Sequence, residues 1–248
     1  MSGKDPIVIS AKRCGSTIVQ DIAYYMLHKE KGNLNKIHSF KNAKDFLELC
    51  SPKAIITIRD PMWMLLSLYR TSYLNSNLVP DGSITREAYL KFRKHNSWEL
   101  MQSLSVLSDS YGNYINLMNC ECDYCIEKRG TILMIEYEKY IESDLGNYHN
   151  LCSALSDFLN IDLDTELVSK INERFNYKRI KKETDDLKTF KKKTDMGYHG
   201  YHIGDTDTSG WEAKFTKKCL EIVKEDLIRD ELFRPIMNKY HKGIVEEC

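Results

Sequence analysis

Short apolar runs alternate along the chain with longer segments in which apolar residues recur every three or four positions. Three runs, PIVIS at 6–10, AIITI at 54–58 and TILMI at 131–135, are rich in aliphatic side chains and predict buried strands. A helical pattern over 18–27 follows the first run. Strands that alternate with amphipathic helices are typical of βαβ units. The pattern therefore predicts an α/β protein with a central parallel sheet flanked by helices.

Further helices are predicted from the same periodicity, and one long segment lacks it. The predicted helices cover 62–73, 82–109, 144–159, 164–175 and 216–227. Residues 176–210 are poor in aliphatic side chains and rich in Lys, Gly, Asp and Thr, which predicts an irregular surface excursion. We expect residues 1–248 to form a single domain, because this length suits one α/β core.

Charge and hydropathy exclude two classes of protein. The chain of 248 residues has 36 basic and 36 acidic side chains, so its formal net charge is zero. A dedicated nucleic-acid-binding protein would carry a basic excess, and no nucleic-acid partner is expected. The sequence contains no run of about 18 apolar residues, and its first ten residues lack the apolar segment of a secretory signal. We therefore expect a cytoplasmic protein with no membrane partner.

The turn between the first strand and the first helix, residues 11–17, has the character of an anion-binding loop. Unpaired amides at a helix start attract anions, Gly15 permits close approach, and Ser16 and Thr17 add hydroxyl donors. In the triphosphate-binding pattern G-x-x-x-x-G-K-[ST], a lysine stands where this chain has Ser16, and the cation here is Arg13. The spacing favours a single phosphate with one attached group. An ordinary tight turn is the alternative.

Two more positions are candidates for ligand chemistry. Arg59 follows the second strand at its carboxyl end, where doubly wound sheets bind ligands, and Ser67 lies about two helical turns further on. This pair would suit a second phosphate; a helix cap at Asp60 beside a surface arginine is the alternative. His38 is a candidate general base, because neutral imidazole accepts a proton near pH 7, although a lone histidine is more often solvated or part of the core.

Four segments, in order along nearly the whole chain, resemble the PAPS-dependent sulfotransferases, where PAPS is 3′-phosphoadenosine 5′-phosphosulfate. KRCGST at 12–17 is similar to their 5′-phosphosulfate loop, [KR]-S-G-[ST]-T, and IHS at 37–39 resembles the segment with their catalytic histidine. The stretch 59–69 is similar to their 3′-phosphate motif R-[ND]-P-x-x-x-x-x-S-x-Y. GDTDTSGWEAKFT at 204–216 resembles their C-terminal segment. The resemblance implies a three-layer P-loop-like fold and sulfuryl transfer from PAPS to a hydroxyl or amine.

The resemblance also implies residue roles. His38 would take the proton of the acceptor, and Arg13 would stabilise the charge that develops on the leaving phosphate. No metal is required in this scheme, and the acceptor would be a small molecule or a glycan. Tyr137 resembles a tyrosine beside the adenine. The implied cofactor-binding residues are Arg13, Cys14, Gly15, Ser16, Thr17, Arg59, Ser67, Tyr137, His202 and Gly204.

The sequence differs from the family pattern at two places, and two other functions are therefore considered. Ile18 stands where the family often has an adenine-stacking tryptophan, and His202 and Ile203 replace an Arg-Lys pair. A P-loop kinase of a small molecule is one alternative, although Ser16 in place of its lysine disfavours it. A catalytically inactive nucleotide-binding protein of the same fold is another.

The eight cysteines are too few for a disulfide scaffold, but three of them are close together in sequence. Cys120, Cys122 and Cys125 would supply three ligands of a zinc site. A fourth ligand is not evident at the usual spacing, and a reduced surface loop is the alternative.

Overall fold

Four short parallel strands form one sheet within the described part of the chain. The computed structural model describes residues 5–40, 43–50, 53–75, 83–142, 147–188, 191–196, 198, 210–228 and 230–246. The strands are β1 (Ile7–Ser10), β2 (Lys36–Ile37), β3 (Ala54–Ile58) and β4 (Ile132–Glu136), and their order across the sheet is β2-β1-β3-β4. The three strands predicted from the apolar runs are confirmed, and β2 is an additional one.

The central strands are buried because their residues are aliphatic on both faces. All five residues of β3 are buried, and Val8 and Ile9 of β1 have no exposed surface. A parallel strand that is covered on both faces has a continuous apolar sequence. For this reason PIVIS and AIITI could be predicted as strands from the sequence. Val8 pairs with Ile55, and Ile55 pairs with Leu133, so the three strands end at nearly the same level.

Helices make up most of the remaining described chain. They are α1 (Ser16–His28), α2 (Ala43–Leu49), α3 (Pro61–Asn75), α4 (Arg86–Asn119), α5 (Asp123–Arg129), α6 (His149–Leu159), α7 (Thr165–Arg174), α8 (Tyr177–Asp186), α9 (Lys217–Ile228) and α10 (Arg234–Glu246). A π-helical turn covers Glu138–Glu142, and two 3-10 turns cover Glu212–Lys214 and Glu231–Phe233. Of the described helices, none is long and apolar enough to cross a membrane.

The chain divides into two compact units, each built from two segments. The first unit contains residues 1–60 and 103–176, and therefore the whole sheet. In this unit α1 buries Val19, Ile22, Ala23 and Met26, which recur at helical spacing and form its core-facing side. The second unit contains residues 61–102 and 177–248. The single-domain interpretation stays a prediction.

Aromatic packing and a part-buried polar contact are found among the described residues of the second unit. The rings of Tyr69 and Phe92 pack edge to face with their centroids 5.2 Å apart. The hydroxyl of Tyr89 donates a hydrogen bond to Asp226 Oδ2 at 3.0 Å, and Arg93 pairs with the same oxygen at 3.0 Å. The Asp226 carboxylate therefore has a hydrogen-bond donor and a positively charged partner on the same oxygen atom.

The prediction of an irregular segment over 176–210 was wrong in its first third, where α8 forms. Ile180 and Thr184 are four residues apart and both are buried, which gives this polar stretch one inward face. On the outer face Arg179 pairs with Glu183 and Lys181 pairs with Asp185, each at i, i+4 spacing. Such pairs stabilise a helix by about 0.2–0.5 kcal/mol each, so charges that suggested a solvated loop support a helix.

Candidate active site

The candidate residues of the first unit gather where β1, β3 and β4 end. Ser10 is paired with Thr57 and Ile58 with Glu136, so the segments that follow these strands leave the same edge of the sheet. Those segments are the turn 11–15, Arg59, and the pair Tyr137 and Glu138. Carboxyl ends of parallel strands are the usual ligand-binding edge in α/β proteins.

The turn after β1 has an unusual backbone that leads directly into α1. Arg13 has φ 69° and Gly15 has φ 76°, both in the left-handed region. A side chain-bearing residue such as Arg13 adopts this region at a cost of about 1–3 kcal/mol, so neighbouring groups must hold it there. Helix α1 then begins at Ser16, and the first amides of a helix have no partner within it. The amides of Ser16 and Thr17 are therefore N–H donors at the positive end of a 13-residue helix.

Gly15 packs directly against the segment that follows β4. A Cβ atom at this position would lie 2.4 Å from Tyr137 Cδ2 and 2.9 Å from Ile141 Cδ1. Both distances are far below van der Waals contact, and the positive φ is unfavourable for any side chain. Gly15 is therefore required by two independent features: its backbone angle and the close approach of the Tyr137 ring.

Arg59 connects the three segments. Its Nη1 donates a hydrogen bond to the carbonyl oxygen of Arg13 at 3.1 Å, which holds the strained residue of the turn. Its guanidinium carbon lies 4.1 Å from the centroid of the Tyr137 ring, a cation–π contact. Its Nε is 3.9 Å from Glu138 Oε1, an ion-pair distance too long for a hydrogen bond.

One donor of Arg59 is left without a partner. The Nε atom is buried and has no hydrogen-bond partner among the described residues. Buried N–H groups are nearly always bonded, so an orphaned donor at a ligand-binding edge indicates a place for an acceptor from outside the chain. A phosphate oxygen is such an acceptor, and arginine binds phosphate through charge-assisted bonds. The residues present here fit an anionic ligand.

Burial changes the acidity of two side chains at this edge, Glu138 and Cys14. Burial raises the pKa of the Glu138 carboxyl, and the amide of Asp60, which donates to Oε1 at 2.9 Å, acts against that rise. Burial also raises the pKa of the Cys14 thiol to about 12, which keeps the sulfur protonated near neutral pH. Cys14 is therefore no nucleophile, and the amide of its backbone is the group that a ligand would use.

His38 lies beside the end of β1 because β2 pairs with that strand. Ile37 is in register with Ile9, and the next residue places its imidazole Nδ1 2.7 Å from the carbonyl oxygen of Ser10. A carbonyl oxygen only accepts hydrogen bonds, so Nδ1 carries the proton and Nε2 of the neutral ring keeps its lone pair. Burial lowers the pKa of His38, and the charges of Lys36 and Lys12 lower it further against the opposing bond to Ser10.

Lys36 is a site residue that the sequence interpretation missed. Its Nζ donates a hydrogen bond to the hydroxyl oxygen of Thr17 at 3.3 Å, at the start of α1. Burial lowers the pKa of Lys36, while Asp21 acts to raise it. Lys36 precedes His38 by two residues, a spacing that places both side chains on one face of an extended segment. The spacing of Lys36 and His38 could have indicated that both belong to the site. It has that meaning only in a strand, and the sequence did not predict β2.

The structure does not test three of the predicted site residues. Ser67 is on α3 in the second unit, where its carbonyl accepts a hydrogen bond from the Thr71 hydroxyl at 2.8 Å, so its part in phosphate binding stays a prediction. His202 and Gly204 are outside the described residues. The structure thus brings together the turn residues Arg13–Thr17 with His38, Arg59 and Tyr137.

Several solved structures match this chain, and two of them are described here. Retinol dehydratase, solved in complex with androsterone and inactive cofactor PAP, matches with a TM-score of 0.61 and 13% identity, over 96% of this chain and 82% of that chain. Mouse sulfotransferase SULT7A1, complexed with PAP, matches with a TM-score of 0.53 and 13% identity, over 96% of this chain and 90% of that chain. No protein-family model and no curated protein matches the sequence.

These likenesses establish the fold. The chain has the α/β fold of PAPS-dependent sulfotransferases, with a central parallel sheet, and the predicted fold class is confirmed. An identity of 13% leaves the activity and the roles of individual residues to be argued from the site itself.

Proposed function

We propose that this chain is a sulfotransferase that moves a sulfuryl group from PAPS to a hydroxyl or amine of an acceptor. The observation on which the proposal depends is the bond between His38 Nδ1 and the carbonyl of Ser10. It anchors the ring to the last residue of β1, directly before the anion-binding turn, and it leaves Nε2 unprotonated in the neutral ring. A base and an anion site side by side are what transfer of an anionic group to a hydroxyl requires.

The turn 11–17 would hold the 5′ end of the donor. The amides of Cys14, Gly15, Ser16 and Thr17 are the donors, together with the hydroxyls of Ser16 and Thr17. These groups are fixed by the contact of Gly15 with Tyr137 and by the bond from Arg59 to Arg13. Because the donors are in place before the ligand arrives, little reorganisation is needed on binding.

Two cations would stabilise the charge that develops on the leaving phosphate. Arg13 belongs to the turn itself, and Lys36 reaches it through the Thr17 hydroxyl. Arg13 cannot serve as an acid, because a guanidinium does not release its proton in a protein. Its role, and that of Lys36, is therefore electrostatic, which is usually the largest single contribution to catalysis of this kind.

Arg59 would bind the 3′-phosphate through Nε, the donor that has no hydrogen-bond partner among the described residues. The orphaned Nε supports this role, and the Tyr137 ring against the guanidinium would lie beside the adenine. Ser67, His202 and Gly204 are expected to complete the nucleotide site on the basis of the family resemblance. The bound PAP of the two similar structures supports a nucleotide of this type as the donor.

His38 would remove the proton of the acceptor. Its Nε2 accepts the proton while Nδ1–H remains bonded to Ser10, and the carbonyl oxygen stabilises the imidazolium that forms. When bound, PAPS supplies the sulfuryl group, whose sulfur exchanges its bond to the bridging phosphate oxygen for a bond to the acceptor oxygen. No metal is required, because backbone amides and side-chain cations would stabilise the negative charge of PAPS. A cytoplasmic location and a small-molecule or glycan acceptor belong to this proposal; androsterone in the retinol dehydratase structure supports a small molecule.

The proposal is tested by incubating the purified chain with PAPS and panels of phenols, alcohols, amines and sugars, with mass detection of the products. We expect at least one acceptor to gain a sulfuryl group in the presence of PAPS and none to do so without it. His38→Asn is the matched control, because an amide can still donate to the Ser10 carbonyl but is not a base. Transfer of phosphate from ATP in parallel reactions, with no use of PAPS, would instead support the kinase alternative.

A further inference from the structure

Three cysteines outside the candidate active site bring their sulfur atoms together. The Sγ atoms of Cys120, Cys122 and Cys125 all lie within 4.8 Å of one another, and those of Cys120 and Cys122 are 3.2 Å apart. All three are free thiols. Three sulfurs converge on one point although no covalent bond joins them.

Packing does not explain this arrangement. The other described cysteines, Cys14, Cys50, Cys152 and Cys219, are buried and behave as small core residues. In contrast, Cys122 is exposed, Cys120 and Cys125 are half-buried, and α5 buries none of its residues. A helix of seven residues without a buried side chain is marginal by itself, so something other than a hydrophobic core must hold α5 in place.

The local backbone is shaped to present the three thiols on one side. Cys120 directly follows α4, Cys122 is the N-terminal cap of α5, and Cys125 lies in the first turn of that helix. Arg129 closes the turn, because its Nη2 donates to the carbonyl of Cys120 at 2.7 Å and its Nε donates to the carbonyl of Leu117 at 3.4 Å. These bonds hold the backbone of Cys120 in place, and the positive charge of Arg129 would offset the charge of nearby thiolates.

We propose that Cys120, Cys122 and Cys125 bind one zinc ion through three thiolates, with the fourth position open to water or another exchangeable ligand. Zinc bonds thiolate sulfur at about 2.3 Å, which places the sulfurs of a tetrahedral site roughly 3.8 Å apart. The observed separations, from 3.2 Å to at most 4.8 Å, bracket that value. Small side-chain rotations would therefore complete the site without movement of the backbone.

This zinc site is separate from the candidate active site. Helix α5 leads through Thr131 to the amino end of β4, where the backbone of Thr131 accepts a hydrogen bond from Ala54 at the amino end of β3. The candidate active site is at the carboxyl ends of the same strands. Five strand residues separate the two edges, roughly 15 Å. The ion would link the end of α4 to α5, whereas the proposed sulfuryl transfer needs no metal.

The test is zinc binding by the full chain. Protein reduced and stripped with a chelator is titrated with Zn²⁺ against a chromophoric chelator, and Co²⁺ is added in parallel to read sulfur-to-cobalt charge transfer. We expect one zinc per chain, an intense charge-transfer band, and a rise in melting temperature with zinc. Cys122→Ser and Cys125→Ser should weaken binding by more than the ~10–100-fold that loss of an outer partner costs. Cys152→Ser removes a buried thiol of α6 that is not one of these three and should bind zinc like the wild type.

The outcomes are decisive because the substituted positions are at the surface. Cys122 is exposed, so its replacement by serine removes a ligand without opening a cavity, and circular dichroism verifies that the variant is folded. Failure of the reduced wild type to bind zinc overturns the proposal. Equal affinity in the wild type, Cys122→Ser and Cys125→Ser also overturns it. Neither result bears on the proposed transferase activity, which is assayed separately with PAPS.

Discussion

The Nδ1 atom of His38 donates a hydrogen bond to the carbonyl oxygen of Ser10 at 2.7 Å. The bond fixes the tautomer of the ring and leaves Nε2 as the only nitrogen able to accept a proton. It exists because β2, only two residues long, pairs with β1 immediately before the anion-binding turn. The same pairing brings Lys36 to Thr17. A strand of only two residues thus positions both the proposed base and a proposed catalytic cation.

Loss of the imidazole should slow transfer strongly without preventing donor binding. His38→Ala and His38→Asn remove the base, and general base catalysis contributes about 10²–10⁴-fold, so kcat should fall by that factor. PAP affinity should change little, because His38 bonds the strand end and not the amides of the turn. Steady-state kinetics and calorimetry measure the two effects. Unchanged kcat in both variants would show that His38 is not the base.

The pH dependence of the reaction follows from the environment of His38. Burial, with Lys36 and Lys12, lowers the pKa of His38 below its ordinary value of about 6.5. The base acts unprotonated, so kcat/KM should be constant above neutral pH and should fall as pH decreases through this lowered pKa. Replacing Lys36 with Met removes one lowering charge and should move the acidic limb to higher pH. A limb centred above 6.5 in the wild type would contradict this assignment.

Gly15→Ala should damage both stability and donor binding. The new Cβ would lie 2.4 Å from Tyr137 Cδ2, at a residue whose φ is +76°. We expect a loss of more than about 1 kcal/mol in the free energy of unfolding, together with weaker PAP binding. Gly130→Ala is the matched control, since nothing lies within 4 Å of its Cβ and its φ is −71°. That variant should be unchanged or slightly more stable, and equal losses in both variants would contradict the packing argument.

Arg59→Ala should weaken binding of the nucleotide. The change removes the buried Nε donor and the bond that supports Arg13. Hydrogen bonds to charged groups contribute about 1.5–3 kcal/mol, so PAP affinity should fall by roughly 10–100-fold. Arg234→Ala, which removes an exposed arginine paired with Glu231 on the second unit, serves as the control and should bind normally. Calorimetry at two salt concentrations measures both variants, and equal affinities would argue against Arg59 as a phosphate ligand.

The parts of the fold encoded locally were predictable from the sequence. β1, β3 and β4 are continuous aliphatic runs, and α1 and α7 show clear helical periodicity. Helix α8 escaped prediction because its stability comes from i, i+4 ion pairs and a two-residue inward face instead of an apolar stripe. The strand β2 escaped because two residues, Lys36 and Ile37, form no recognisable run and become a strand only through pairing with β1.

In the candidate site, too, local features were predictable and contacts between distant residues were not. The turn Arg13–Thr17 was predictable because a strand, a glycine and a helix follow one another in sequence. The contact between Gly15 and Tyr137, and that between Arg59 and the Arg13 carbonyl, join positions more than 40 residues apart. No local pattern encodes such contacts, since they depend on the order of the strands in the sheet.

Calorimetric titration with PAP, and separately with ATP and Mg²⁺, tests the central claim most directly. The claim is that the turn 11–17 and Arg59 form a site for a nucleotide with separate 5′ and 3′ phosphates. We predict saturable binding of one PAP per chain in the absence of metal, and much weaker binding of ATP with Mg²⁺. Tight, magnesium-dependent binding of ATP with no binding of PAP would contradict it.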